Sequence, residues 1–227
     1  MSGKEQKQTT AAVASGRRVI DIEIDGLRAV AARLGRDFER AVELVADCGG
    51  RIVVTGMGKS GQVSKKIAAT LSSTGTTALF IHAAEAAHGD LGMLARGDLC
   101  LAVSNSGTTA EILTLLPAIK RLGIGIIALT GDAHSPLGQA ADVVLDVSVD
   151  KEACPLDLAP TASTTAMLAM GDALALTVSR RLRRPSNLRS EAKATWATSM
   201  FSPMLLKPLP VKSPGISNRC GRALGFR

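Results

Sequence analysis

At 227 residues, 46% hydrophobic and 21% charged, the chain has the composition of one α/β domain with short extensions, not of a disordered segment. Four Phe, one Trp and no Tyr exclude an aromatic stacking platform, so single-stranded nucleic acid is not an expected partner. The net charge of +7 does not revive that reading: residues 183–227 hold nine Lys or Arg against one acid, Glu191, which leaves residues 1–182 at −1 (+7 less +8).

In chain order, residues 1–18 are polar and lack the apolar stretch of a signal peptide. From about Val19 to Cys48 apolar residues recur at helical spacing: Ile24, Leu27, Val30 and Leu34, then Phe38, Val42 and Val45. Gly35 separates two helices there, and Gly49-Gly50 stops the second. Short apolar runs follow at Arg51–Thr55, Ala78–His82, Leu99–Ser104, Gly125–Thr130 and Val143–Val149, with helical segments between them. Near-continuous apolar runs alternating with helices predict a five-stranded parallel sheet covered on both faces, a three-layer doubly wound α/β domain. A last helix is expected from about Thr161 to Arg183. Beyond it periodicity collapses and five prolines fall between Pro185 and Pro214, so residues 184–227 are expected to be a basic, irregular tail, solvated and outside the domain of residues 19–183.

Nowhere do 18 consecutive apolar residues occur, so no membrane span is expected. Cys48, Cys100, Cys154 and Cys220 are widely spaced and form no CxxC pair, which fits reduced thiols in the cytoplasm.

Ligands of doubly wound sheets bind beyond the carboxyl ends of the strands, so the residues after each run carry the functional reading. After the first run comes Gly56-Met57-Gly58-Lys59-Ser60-Gly61, which fits G-x-G-x-x-G. It is not a P-loop, because Val53 stands where that pattern needs its first glycine. Glycines at a strand-to-helix turn let the backbone approach an anion, and Lys59 adds a full positive charge. A tight structural turn with a solvated lysine is the plainer alternative. After the third run comes Ser104-Asn105-Ser106-Gly107-Thr108-Thr109, four hydroxyls around a glycine at a helix start. One helix cap needs one hydroxyl, so this loop reads as a phosphate site. Glu111 follows within one helical turn, where a capping-box role is also open. Two of the three histidines, His82 and His88, lie within seven residues after the second run, with Glu85 and Asp90 between and beyond. Contacts to sugar hydroxyls fit them better than a closed metal site, which needs more ligands. Lys151-Glu152-Ala153-Cys154-Pro155 follows the last run and adds a carboxylate at the same sheet edge.

These stretches resemble the sugar isomerase (SIS) domain, and within it the arabinose 5-phosphate isomerases: VVTGMGKSG (53–61), STGT (73–76), EAAHGDLGM (85–93), SNSGTTAEI (104–112), KEACPLDLAPTASTTA (151–166) and MGDALA (170–175). The match runs in order from about Arg51 to Ala175. The resemblance implies a homotetrameric enzyme that converts ribulose 5-phosphate to arabinose 5-phosphate, toward the octulosonate sugar of lipopolysaccharide or capsule. It implies no required cofactor. By position it marks Lys59, Glu111 and Glu152 as catalytic. It marks Gly75, Thr76, His82 and His88 as substrate contacts, with His82 also a site for inhibitory zinc, and lays the phosphate against Ser104, Asn105, Ser106, Thr108 and Thr109. The family continues into a His-Pro-Gly-Gly segment and two CBS modules. Here that region reads RPSNLRSEAKATWATSM, with no His after His134, so either a naturally shortened form or an aberrant reading of the gene in the tail is expected.

Two other readings stay open. A sugar-phosphate sensor would use the same fold without turnover. A nicotinamide-dependent dehydrogenase would explain GMGKSG but expects an acid at the end of the second run, where His82 stands. Limited proteolysis should trim the chain after about Pro185 first and leave a stable core; a core that unfolds on trimming would show that the tail is packed.

Overall fold

The computed structural model describes residues 2–182 except 88 and 157. The chain divides into two units, 1–184 and 185–227. The expected irregular tail lies outside the described residues.

Five strands form one parallel sheet: β1 (Ile52–Gly56), β2 (Ala78–His82), β3 (Leu99–Val103), β4 (Gly125–Thr130) and β5 (Val143–Asp146), in the order β2-β1-β3-β4-β5. Between and around them run α1 (Ser2–Ala32), α2 (Arg36–Ala46), α3 (Gly58–Ser73), α4 (Ala83–Ala87), a 3₁₀ turn at Asp90–Met93, α5 (Ala110–Arg121), α6 (Pro136–Ala140) and α7 (Ala162–Leu182). The expected doubly wound α/β fold is therefore the one observed.

Its layers follow from the period of two along a strand. Ile52 and Val54, Leu99, Leu101 and Val103, Ile127 and Leu129 bury against α1, α2, α3 and α7. Val53, Cys100 and Ala102, Ile126 and Ala128 bury against α4, α5 and α6. Because both faces are covered, β1 and β3 are buried at every position, while the edge strand β2 is mostly half-buried. Burial in apolar surroundings also pushes the Cys100 thiol up to about 12, so it is inert. The crossing of α3 and α7 is close because position 171 is glycine: a Cβ there would lie 2.4 Å from Cγ1 of Ile67.

The second and fourth strands keep their expected limits, and the other three shift by one to three residues. Ser104 leaves the third run for the loop after it, and the ladder of β5 stops at Asp146, whose carboxylate accepts the amide of Ser148. The polar residues 2–18 continue into α1 as one helix, although residues 10–18 are exposed all round. Lys, Gln, Glu and Ala there favour helix without a buried face, and no proline interrupts them. Gly35 stands at the start of α2, at the expected boundary between the two helices. Among the described residues no helix is long and apolar enough to cross a membrane.

At the amino edge of the sheet, Asp98 is 3% exposed at its side chain and holds the entry to β3. Its Oδ1 accepts the Arg51 amide at 2.9 Å; its Oδ2 accepts Nη2 of Arg51 at 2.9 Å and the Ala95 amide at 3.0 Å. Burial by itself raises the Asp98 carboxyl, but these bonds and the guanidinium charge outweigh it and hold the group below the ordinary value. The stabilisation is thus present above the unfolded value near 3.8 and is lost as pH falls through the lower folded value. Asp98→Ala should cost about 2–4 kcal/mol at neutral pH, less than a fully buried pair because Arg51 is partly exposed. Urea unfolding checks this, and an unchanged midpoint would contradict it.

Candidate active site

The strand order reverses between β1 and β3, and a crevice opens there by construction: the chain leaves β1 toward one face and β3 toward the other. Gly56 and Val103 pair at the ends of these strands, so GMGKSG and SNSGTT begin side by side. Both lead straight into helices, α3 and α5, whose first N–H groups face the crevice side of the sheet. Neither helix has a side-chain cap: Met57 has no hydroxyl to offer, and the Thr109 hydroxyl is engaged elsewhere. Two open helix N-termini at one edge make a place for an anion.

The first loop is shaped by its glycines. Gly58 has φ +55° with open space around it, so it serves conformation alone. A Cβ on Gly56 would lie 2.5 Å from Oγ of Ser64, and one on Gly61 would lie 3.1 Å from the Gly56 carbonyl, so these two let α3 start tight against β1. Lys59 is exposed and makes no ion pair among the described residues.

In the second loop the hydroxyls divide their work. Ser104 is buried; its Oγ lies 2.8 Å from Oγ1 of Thr109 and accepts the Gly107 amide at 3.1 Å. That pair braces the loop. Ser106 and Thr108 are exposed, with their hydroxyls 2.9 Å apart. Gly107, at φ +61°, sits so close to the next loop that a Cβ would fall 1.9 Å from Oγ of Ser135. Asn105 is exposed, and its carbonyl accepts from the Gly131 amide at 2.9 Å.

Glu152 stands where the chain crosses from β5 to α7. Its Oε2 accepts the Thr161 amide at 2.7 Å, the Thr161 hydroxyl at 2.9 Å and the Ser163 amide at 3.3 Å. Burial by itself raises the carboxyl; the Ser163 and Thr161 side chains and amides outweigh it, and the group is held below its ordinary value. The Ser163 hydroxyl acts by proximity, since it is buried and makes no well-formed hydrogen bond.

These elements enclose a cleft of about 410 Å³ whose walls include Lys59 and Ser60 from α3, Asn105, Glu152, and Ser163 with Met167 from α7. Of the residues singled out in the sequence, the cleft thus gathers Lys59, Asn105 and Glu152. Glu111 lies half-buried in the first turn of α5 and does not line it. His82 ends β2 opposite Gly56, at the same sheet edge, with its Nδ1 buried and without a hydrogen bond. Gly75, at φ +98°, and Thr76 precede β2 and lie at the opposite edge, about 16 Å away at ~3.3 Å per strand residue. His88 lies outside the described residues. Among the described residues no three His, Cys, Asp or Glu side chains converge on a metal position, so His82 has no described co-ligands for zinc.

Residues 44–177 match the SIS domain. The chain belongs to that family. The chain is 60% identical over 162 residues to the arabinose 5-phosphate isomerase KdsD of Pseudomonas aeruginosa, covering 71% of this chain and 50% of that one. It is 50% identical over 164 residues to arabinose 5-phosphate isomerase GutQ of Escherichia coli K12, covering 72% and 51%. The chain thus spans about half the length of the curated relatives it matches. A solved E. coli CFT073 protein in complex with arabinose 5-phosphate superposes with a TM-score of 0.74 at 38% identity, over 77% of this chain and 94% of that one.

Reading the sequence missed the contribution of the start of α7 to this SIS site. Thr161, Ser163 and Thr164 stand after an acid as SNSGTT stands after a strand, and that hydroxyl run was the available signal. Two of the left-handed glycines, Gly58 and Gly107, should separate cleanly on substitution. Gly107→Ala combines an unfavourable φ with a clash and should cost about 2–4 kcal/mol, whereas Gly58→Ala should cost only about 1 kcal/mol. Thermal unfolding of the two variants checks the order, and equal losses would contradict the assigned contact.

Proposed function

We propose that this SIS domain interconverts D-arabinose 5-phosphate and D-ribulose 5-phosphate through an enediol. The observation that carries the reading is the cleft itself, in which a lysine, an amide side chain and a carboxylate meet beside two uncapped helix N-termini. The curated relatives named as arabinose 5-phosphate isomerases support it, as does the sugar-phosphate complex of the structural neighbour.

In this mechanism the phosphate lies against Ser106, Thr108 and the first amides of α5, on a loop braced by Ser104 and Thr109. Asn105 and His82 take sugar hydroxyls, and His88 is assigned the same role. In the aldose-to-ketose direction Glu152 removes the C2 proton, and the C–H electron pair forms the C1=C2 bond. The carbonyl electrons move to O1, which is protonated, with Lys59 neutralising the charge that develops there. The O2 hydroxyl then gives up its proton, C2 becomes the carbonyl, and Glu152 returns a proton to C1. Glu111 is assigned the hydroxyl protons. No step needs a cofactor. The chain works in the cytoplasm as a homotetramer, in which Gly75 and Thr76 serve the cleft of a neighbouring copy. Run in the opposite, ketose-to-aldose direction, the same steps yield arabinose 5-phosphate, which feeds the octulosonate sugar of lipopolysaccharide or capsule.

Glu152→Gln keeps the shape of the side chain and removes the base. Exchange of the substrate C2 proton with deuterated solvent, followed by NMR, should fall about 10²–10⁴-fold with binding retained. Full exchange in Glu152→Gln with none in Glu111→Gln would reverse the two acids. Binding without any turnover by the unmodified chain would leave a sugar-phosphate sensor instead.

A further inference from the structure

All described hydrogen bonds to the Glu152 carboxylate converge on one oxygen. Oε2 takes the Thr161 amide, the Thr161 hydroxyl and the Ser163 amide, while Oε1 has no hydrogen-bond partner among the described residues. The direction of the Thr161 hydroxyl is set by its partner, because an ionised carboxylate can only accept, while the hydroxyl oxygen is free to accept the Ala153 amide at 2.9 Å as well. Its proton therefore points at Oε2. Three donors leave Oε2 no room to take up a proton, so a proton arriving at this carboxylate goes to Oε1.

We propose that Thr161 is a positioning residue for Glu152, clamping Oε2 so that Oε1 alone exchanges protons with the bound sugar. The proposal rests on the isomerase reading and adds to it the atom that does the work and the residue that selects it. In the balanced step the C2–H bond breaks, its electrons form the C1=C2 bond, and the proton passes to Oε1. The same oxygen then delivers a proton to C1, and the carboxylate returns to its starting form. A clamped carboxylate keeps Oε1 in one place between the two carbons through both transfers. The clamp also favours the charged form, so the protonated acid gives its proton back readily.

The groups around Glu152 are few. Lys59 from α3 is the charged side chain that shares the cleft wall; Ser60, Asn105, Ser163, Thr164 and Met167 are neutral. Asp150, Lys151 and Cys154 are its titratable neighbours along the chain, with Asp150 and Lys151 exposed.

Thr161→Val removes the hydroxyl and keeps the amide; Thr161→Ser restores the hydroxyl; Thr161→Ala repeats the deletion without the extra methyl at the helix start. Two measurements are made on the full chain: the ¹³C titration of the Glu152 carboxyl, assigned with Glu152→Gln, and the pH profile of turnover. In Thr161→Val the carboxyl should titrate at higher pH, the acid limb of kcat should move up with it, and kcat should fall about 10- to 100-fold with KM little changed. Thr161→Ser should reverse all three. An unmoved titration in both Thr161→Val and Thr161→Ala, or an unmoved acid limb and kcat, overturns the proposal. If the unmodified chain shows no turnover, the isomerase reading fails instead, and the titration still decides whether Thr161 holds Glu152.

Discussion

The pairing of Gly56 with Val103 at the ends of β1 and β3 governs the rest of the molecule. Two adjacent parallel strands finish level with each other, and their chains then depart to opposite faces of the sheet. Each departure must start a helix within a few residues, because the sheet is apolar on both sides and needs both layers covered. The helix starts therefore fall at one edge, with their unpaired amides beside one another. A crevice with anion-binding capacity is the geometric consequence of closing a doubly wound core.

Three helix N-termini meet this crevice, and they are used differently. Those of α3 and α5 carry no side-chain cap, so their amides remain available to a ligand. That of α7 is already filled by the chain's own Glu152. The same backbone electrostatics thus acts twice: it favours negative charge at two open helix starts and keeps a carboxylate ionised at the third. Lys59, in the first turn of α3 and on the cleft wall, has no ion-pair partner among the described residues, and a cation there adds to both effects.

The glycines show how finely this edge is fitted. Gly56 and Gly61 let α3 begin against β1, Gly107 lets the hydroxyl loop press against Ser135, and Gly171 lets α7 cross α3 near Ile67. Each replaces a side chain with backbone proximity, and across the cleft wall Oγ of Ser60 stands 3.8 Å from Sδ of Met167.

Much of this was legible from residue order alone. Runs such as Leu99–Val103 and Gly125–Thr130 announce buried parallel strands because strands covered on both faces have no polar side. GMGKSG and SNSGTT announce tight strand-to-helix turns at the sheet edge because glycines and hydroxyls cluster where a strand becomes a helix. The helical state of residues 2–18 was not legible, since that segment has no apolar face to give it a period. Which hydroxyls brace the SNSGTT loop and which face out was also hidden, because Ser104 and Thr109 are indistinguishable from Ser106 and Thr108 until the loop closes on itself. Residue order was enough to name the kinds of groups at the sheet edge and the strands that deliver them, because periodicity and turn chemistry act over a few residues. It took the folded chain to show that Glu152, Lys59 and Asn105 share a wall while Gly75 and Thr76 lie at the far edge. It also took the fold to show that Thr161, nine residues beyond Glu152, grips its carboxylate, because chain separation carries no record of which ends of the sheet a fold brings together.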